Sequence, residues 1–309
     1  MNDIKYILIC GAGMMGKNIA FVMASNPAYQ VGVYDLYETD VPGGIRANTR
    51  QLIAKGALTE EELDARLSRI SFTTDLDSEL VSRADLVIEA VFEDMKIKRE
   101  TFAKLEARCR PDTIFCTNSS VMSPSEISAE LQHRERFVGT HFWNPGHLIP
   151  LVEVVKSDAS SDEVAQTVMD VLASAGKEPV LCKKDVPGFI ANRMQHALWR
   201  EAISIVERGI ADPATVDKAV RYSFGLRLPQ LGPMENADMV GTDLTYNIHD
   251  YILKDLEDSH EPSPLLTRLR DEGKLGFKTG EGFQTWTPQQ IEQSKEALND
   301  YLVDMLYGK

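Results

Sequence analysis

Tyr6-Ile7-Leu8-Ile9-Cys10-Gly11-Ala12-Gly13-Met14-Met15-Gly16 is an apolar run that stops at three glycines. Apolar residues then recur at helical spacing through Ile19, Val22 and Met23, and Gln30 to Tyr34 follows as a second short strand ending at Asp35. Strand, glycines, helix, strand and acid in that order make a βαβ unit with a dinucleotide-binding fingerprint. The first glycine permits the tight turn, the second lets the backbone approach a pyrophosphate, and the third allows close packing of helix on strand. The N-terminus of the helix, which begins at Met14 and Met15, offers N–H groups and a favourable dipole to the phosphates. Asp35 is positioned to accept hydrogen bonds from the adenosine ribose, and its charge repels a 2′-phosphate, so the expected cofactor is NAD rather than NADP.

Working outward, the pattern between Pro42 and Arg69 is helical and charged. It breaks at Lys55-Gly56 and restarts at Leu58-Thr59-Glu60-Glu61, which predicts an inserted helical hairpin. Alternation then resumes. Strands are expected at Ala84–Val91, Thr113–Cys116, Phe137–Thr140, Leu151–Val155 and Pro179–Cys182, and helices at Lys96–Cys109, Pro124–Leu131 and Ala165–Ala175. Strands alternating with helices predict an α/β fold, a doubly wound and mostly parallel Rossmann-type sheet. From Pro187 the texture changes to long helical patterns (Phe189–Val206, Pro213–Tyr222, Asp243–Leu256, Pro288–Leu306). The expected organisation is a nucleotide-binding domain over 1–185 and an all-α domain over 186–309.

The chain has 309 residues, enough for two domains with full cores, and a formal net charge of -14. No basic run could track a phosphate backbone, so neither nucleic acid nor an anionic membrane is an expected partner. No apolar stretch approaches the roughly 20 residues of a membrane span. Residues 1–10 read as a first strand rather than a secretion signal. Cys10, Cys109, Cys116 and Cys182 form no C-x-x-C pair, and buried free thiols in a cytoplasmic protein are the expectation. His141 and His147 lack the companions of a metal site, and no metal is expected.

Reactive side chains gather at strand ends between Thr117 and Glu153. His141 ends one strand and can take a hydroxyl proton while hydride leaves the same carbon. Glu153 can hold the other ring nitrogen and fix the tautomer. Each residue also has a plainer reading: Ser120 as a cap for the helix near Pro124, Asn144 as initiator of the Asn-Pro turn, Asn192 as a polar residue on an exposed helix face.

Taken together, the glycine cluster, Asp35, Asp85-Leu86-Val87-Ile88-Glu89-Ala90-Val91-Phe92-Glu93, Asn118-Ser119-Ser120, His141-Phe142-Trp143-Asn144-Pro145, Leu151-Val152-Glu153-Val154-Val155, Asp185-Val186-Pro187-Gly188-Phe189-Ile190 and Gly276-Phe277-Lys278-Thr279-Gly280 resemble the L-3-hydroxyacyl-CoA dehydrogenase family. The resemblance covers nearly the whole chain. It implies NAD-dependent oxidation of a secondary alcohol, 3-hydroxyacyl-CoA to 3-oxoacyl-CoA, in a homodimer joined through the helical domain. By the same resemblance His141 is the general base and Glu153 its partner, while Ser120 and Asn192 hold the substrate oxygen. Glu93, Lys98, Asn118, Asn144 and Lys278 line the dinucleotide, and Lys55 and Asn48 face the CoA moiety.

The departures concern substrate. Gly146-His147-Leu148-Ile149-Pro150 and Gly225-Leu226-Arg227-Leu228-Pro229 differ from the usual acyl-CoA pattern, and the Asn-Pro-x-His-x-Ile-Pro run resembles a sibling acting on a pyridine aldehyde carboxylate. Arg227 with His147 would pair a free carboxylate on such a substrate, although Arg227 also reads as a surface residue of a longer loop. An NAD-dependent dehydrogenase of a small free hydroxy acid or heteroaromatic aldehyde carboxylate is therefore the alternative activity. A non-catalytic NAD-binding structural protein is a third reading.

Overall fold

The computed structural model describes residues 4–308. Its first unit opens with β1 (Tyr6–Cys10), α1 (Met14–Met23) and β2 (Gln30–Tyr34), followed by a helical hairpin of α2 (Val41–Ala54) and α3 (Glu60–Leu67). Alternation continues through β3 (Ile70–Thr73), α4 (Glu79–Ser82), β4 (Leu86–Glu89), α5 (Met95–Glu106), β5 (Ile114–Thr117) and α6 (Pro124–Ile127). The unit's sheet is completed by β6 (Phe137–Phe142), β7 (Leu151–Lys156), α7 (Asp162–Ser174) and β8 (Glu178–Cys182). Residues 1–3, part of the expected first strand, lie outside the described residues.

The eight strands form one sheet in the order β3-β2-β1-β4-β5-β6-β7-β8. All neighbours run parallel except β6 and β7, which pair antiparallel across the loop 143–150. The doubly wound sheet is thus as expected. The order reverses between β1 and β4, and a crevice at such a switch point is where ligands collect. β1, β4, β5 and β6 are buried along almost their whole length, which is why they read as continuous apolar runs instead of alternating ones.

The break at Lys55-Gly56 has its expected consequence. Gly56 takes a left-handed φ of 69° and ends α2, and Thr59 opens α3 with a reciprocal capping box: its hydroxyl accepts from Glu62 N–H while Glu62 accepts from Thr59 N–H. Two features differ from expectation. β3 is an edge strand that the periodicity did not mark, because it is only half-buried and too short to show a pattern. The helix expected over Pro124–Leu131 stops at Ile127, where Ser128 turns its hydroxyl back onto the Pro124 carbonyl.

The rest of the chain is helical: α8 (Ala191–Glu207), α9 (Pro213–Arg221), α10 (Phe224–Arg227), α11 (Pro233–Val240), α12 (Thr242–Ile252), α13 (Pro264–Asp271) and α14 (Pro288–Tyr307). Close packing groups the chain into two compact units. The first runs to Ala191 and takes back Leu298 onward, and the second spans Asn192–Ala297. Two contacts hold these ends in the first unit. Ile190 and Ala191 N–H groups bind the carboxylate of Glu153, and Val303, 2% exposed, packs into the core of the first unit.

Candidate active site

The site begins at the glycine turn. Gly11 has φ 109°, and a Cβ there would stand 2.6 Å from the Ala90 carbonyl oxygen, so only glycine lets β1 pass β4 this closely. A Cβ on Gly13, the N-cap of α1, would meet nothing within 4 Å. No side chain caps that helix and no acidic residue sits in its first turn. Open space in front of uncapped N–H groups is the cradle that a pyrophosphate needs. Met14 is exposed beside it, and Met15 lies against Gly146. Asp35 follows β2, where its Oδ2 accepts from Ala12 N–H at 2.6 Å and its Oδ1 from Tyr37 N–H at 3.1 Å. Both ends of the cradle are therefore tied together before any ligand binds. These residues fit NAD.

His141 and Glu153 face each other as a cross-strand pair on β6 and β7. His141 Nδ1 lies 2.8 Å from Glu153 Oε2, with the histidine 4% exposed and the glutamate fully buried. Burial alone would raise the Glu153 carboxyl. Hydrogen bonds from His141, from Ala191 and Ile190 N–H, and from Trp143 Nε1 outweigh it and hold the group below its ordinary value. A carboxylate fixed in this way makes Nδ1 the protonated ring nitrogen and leaves Nε2 as the basic one. Two aromatic rings flank the imidazole, Trp143 at 5.5 Å and Phe189 at 5.7 Å between centroids. Phe189 is 3% exposed and adopts φ 49°, a left-handed conformation that costs energy for a non-glycine residue and positions the ring beside His141. Neither aromatic was singled out from sequence.

The other expected residues fall as follows. The Asn118 side-chain oxygen accepts from Phe142 N–H at 2.9 Å, tying the end of β5 to the end of β6. Ser120 is exposed, and its N–H donates to Glu93 Oε1 at 3.0 Å. Lys98 is buried and bonds Glu89 at 2.7 Å and Glu93 at 3.2 Å. Asn144 is exposed at the start of the β6–β7 loop. Asn192, next to Ala191 in α8, belongs to the second unit, as do the exposed Lys278 and Arg227.

Two residues expected to face substrate are engaged elsewhere. Lys55 Nζ bonds Asp304 at 2.7 Å and also reaches Asp300, at 3.4 Å from its carboxylate and 3.2 Å from its carbonyl; both acids lie on α14. Asn48 donates its amide to Asn18 on α1 at 2.7 Å. His147 lines a cavity of about 410 Å³ together with Phe21, Leu58, Arg66, Lys177 and Tyr307. Burial, with Lys177 nearby, lowers its pKa to about 4, so the imidazole is neutral near pH 7. A neutral imidazole could meet a substrate carboxylate only through a hydrogen bond, not as a cation, and the burial behind this is invisible in the sequence. Among the described residues no cluster of three or more His, Cys, Asp or Glu could hold a metal, and no helix is long and apolar enough to cross a membrane.

Comparison with known proteins agrees with this geometry. Residues 6–186 match the NAD-binding domain of 3-hydroxyacyl-CoA dehydrogenase, and residues 188–286 match its C-terminal domain. The chain is 34% identical over 293 residues to a 5-formyl-3-hydroxy-2-methylpyridine 4-carboxylate 5-dehydrogenase of Mesorhizobium japonicum, covering 94% of this chain and 93% of the relative. It is 36% identical over 285 residues to a probable 3-hydroxybutyryl-CoA dehydrogenase of Bacillus subtilis, covering 91% and 97%. Among solved structures, a 5-formyl-3-hydroxy-2-methylpyridine 4-carboxylic acid 5-dehydrogenase, described as an NAD+-dependent dismutase, superposes with TM-score 0.89 at 33% identity over 98% of this chain and 97% of that one. The (S)-3-hydroxybutyryl-CoA dehydrogenase of Ralstonia eutropha gives 0.77 at 29% identity, covering 92% and 100%. Glycine cradle, Asp35 and the two matched domains together make this chain a member of the 3-hydroxyacyl-CoA dehydrogenase family, an NAD-dependent oxidoreductase.

Proposed function

We propose that the chain oxidises a small hydroxy or aldehyde substrate bearing a free carboxylate, with His141 as general base, rather than an acyl-CoA. The observation that carries this reading is the engagement of Lys55 by Asp300 and Asp304. A lysine expected to face the CoA moiety instead meets two carboxylates of α14, which repel CoA phosphates. The higher TM-score to the pyridine carboxylate enzyme supports the same reading. The acyl-CoA reading keeps the support of relatives named for 3-hydroxybutyryl-CoA.

NAD, when bound, accepts a hydride from the substrate carbon. His141 Nε2 takes the proton of the substrate hydroxyl, or of an aldehyde hydrate, as that hydride leaves. Glu153 stabilises the imidazolium that forms and keeps the ring oriented. In the same reading Ser120 and Asn192 hold the substrate oxygen, Asn118, Asn144 and Lys278 serve the dinucleotide, and Arg227 pairs the carboxylate. Arg227 makes no ion pair among the described residues, and Arg227→Met is expected to raise KM for the true substrate. Exposed aromatics on α12, Tyr246 at 72% and Tyr251 at 86%, support a homodimer, which light scattering would detect.

The deciding assay follows NADH formation with L-3-hydroxybutyryl-CoA, the free 3-hydroxy acid and a heteroaromatic aldehyde carboxylate side by side. Preference for a free acid is the expected result. Preference for the thioester would return the chain to acyl-CoA chemistry.

A further inference from the structure

A buried charge cluster stands at the carboxyl ends of β4 and β5. Glu89, the last residue of β4, is fully buried. Its Oε1 accepts from Lys98 Nζ at 2.7 Å and from Val91 N–H at 2.7 Å, and its Oε2 accepts from Thr117 Oγ1 at 2.7 Å. Thr117 Oγ1 in turn accepts from Ser119 N–H at 3.3 Å, which leaves its hydroxyl proton for Glu89. Burial raises the pKa of this carboxyl, and the three donors on its two oxygens, the Lys98 ammonium first among them, act against that shift and favour the ionised form.

The cluster continues toward solvent. Lys98, 1% exposed, also reaches Glu93 Oε2 at 3.2 Å. The other Glu93 oxygen accepts from Ser119 Oγ and from Ser120 N–H. One ammonium therefore lies between two carboxyl groups, so that the ion-paired cluster sums to −1. A buried ion pair is weak evidence of stabilisation, since apolar residues of similar volume would often serve as well. Its charge calls for another explanation.

The sheet order supplies one. Asp35, after β2, marks the adenosine side of the switch point, and the pyrophosphate cradle lies between. A dinucleotide crossing that cradle carries its nicotinamide half to the side where β4, β5 and β6 end. Glu89, Thr117 and His141 all stand on that side. The nicotinamide ring is positively charged only when oxidised.

We propose that Glu89 is a positioning residue which, with Lys98 and Glu93, sets a net negative charge that favours NAD+ over NADH and holds the Ser119–Ser120 turn in place. The role rests on the NAD reading and extends it from Glu93 and Lys98, expected to line the dinucleotide, to Glu89, which has no assigned function. Its readout is a ratio of affinities, independent of turnover.

The test measures Kd for NAD+ and for NADH by calorimetry on the full-length protein and takes the ratio Kd(NADH)/Kd(NAD+). Glu89→Gln keeps the shape and brings the cluster to neutrality, so the ratio is expected to fall roughly tenfold. Adding Lys98→Gln to Glu89→Gln leaves Glu93 alone at −1 and is expected to restore the ratio to within about threefold of the original. A purely structural role predicts the opposite, further loss for both forms of the cofactor. Glu93→Gln removes the same charge from a partly solvent-facing side chain and is expected to lower the ratio too, which keeps the test available if Glu89→Gln does not fold. A ratio unchanged in the folded single variants, or not restored by the second substitution, overturns the proposal.

Discussion

The His141–Glu153 pair and the Lys55–Asp300–Asp304 contact both join residues distant along the chain, yet they occupy opposite extremes of environment. The first pair has side chains 6% and 0% exposed, and the glutamate is saturated by four donors. In the second, side-chain exposures are 27% for the lysine and 49% and 68% for the acids. Removing a partner from the buried pair strands a charge, whereas the exposed contact is screened and easily rearranged. In the proposed reading, reaction chemistry rests on the rigid sheet and substrate choice on a surface that can change without disturbing it.

Substitutions in the pair itself should separate these roles most sharply. His141→Ala is expected to lower kcat by roughly 10²–10⁴-fold while Kd for NAD+ stays within about twofold. Near-normal turnover in a pre-steady-state burst assay would remove His141 from the chemistry. Glu153→Gln keeps the shape but loses the charge that stabilises an imidazolium, and kcat is expected to drop about 10²-fold with KM little changed. The glutamate also links folding to pH. Its folded pKa lies below its unfolded value, so its contribution is present above the ordinary carboxylate range of about 4.3 and is lost as pH falls through the folded pKa. Acid unfolding followed by circular dichroism should be less steep below about pH 4.3 in Glu153→Gln.

How much of this was legible in the sequence follows from the same contrast. The glycine turn, Asp35 and the strand-end histidine could be read because backbone geometry and strand periodicity leave direct marks in residue type. The pairing of His141 with Glu153 was read from the two side chains' chemistry and again from the resemblance, and the antiparallel register of β6 and β7 gives it a physical basis. The return of α14 to the first unit left no such mark. A helix of mixed polarity says nothing about which neighbour it covers, so the fate of Lys55 depended on tertiary packing. β3 and the left-handed Phe189 were missed for a related reason, since each is set by what surrounds it rather than by its own pattern. Glu89 read as one letter of an apolar strand, and only its three donors revealed it as a buried charge.

His147 extends the comparison to a residue that is half-buried and has no charged partner. Its folded pKa, about 4, is below the unfolded value of about 6.5, so the unfolded chain binds more protons between those pH values. Stability should therefore fall as pH drops from about 6.5 to about 4, by up to about 3 kcal/mol from this group alone. His147→Gln should flatten that slope in urea titrations at several pH values. An unchanged slope would assign the dependence to other groups.

The exposed contact should give the smallest change in stability and the most informative change in recognition. Asp300→Asn with Asp304→Asn frees Lys55 and removes two negative charges from the surface of the hairpin and α14. Melting temperature is expected to move by no more than about 2 °C, as befits exposed pairs. Affinity for free coenzyme A, measured by calorimetry, is expected to rise roughly tenfold at low salt and to lose most of that gain at about 0.5 M salt, because the added attraction acts between solvent-exposed charges. Activity on the free carboxylate substrate should remain as it was, since neither aspartate contacts His141 or Glu153. If coenzyme A binds no better once the aspartates are gone, the carboxylates of α14 are not what excludes it. The specificity would then have to lie in the sheet-borne part of the site, and the division between rigid chemistry and adjustable surface would fail.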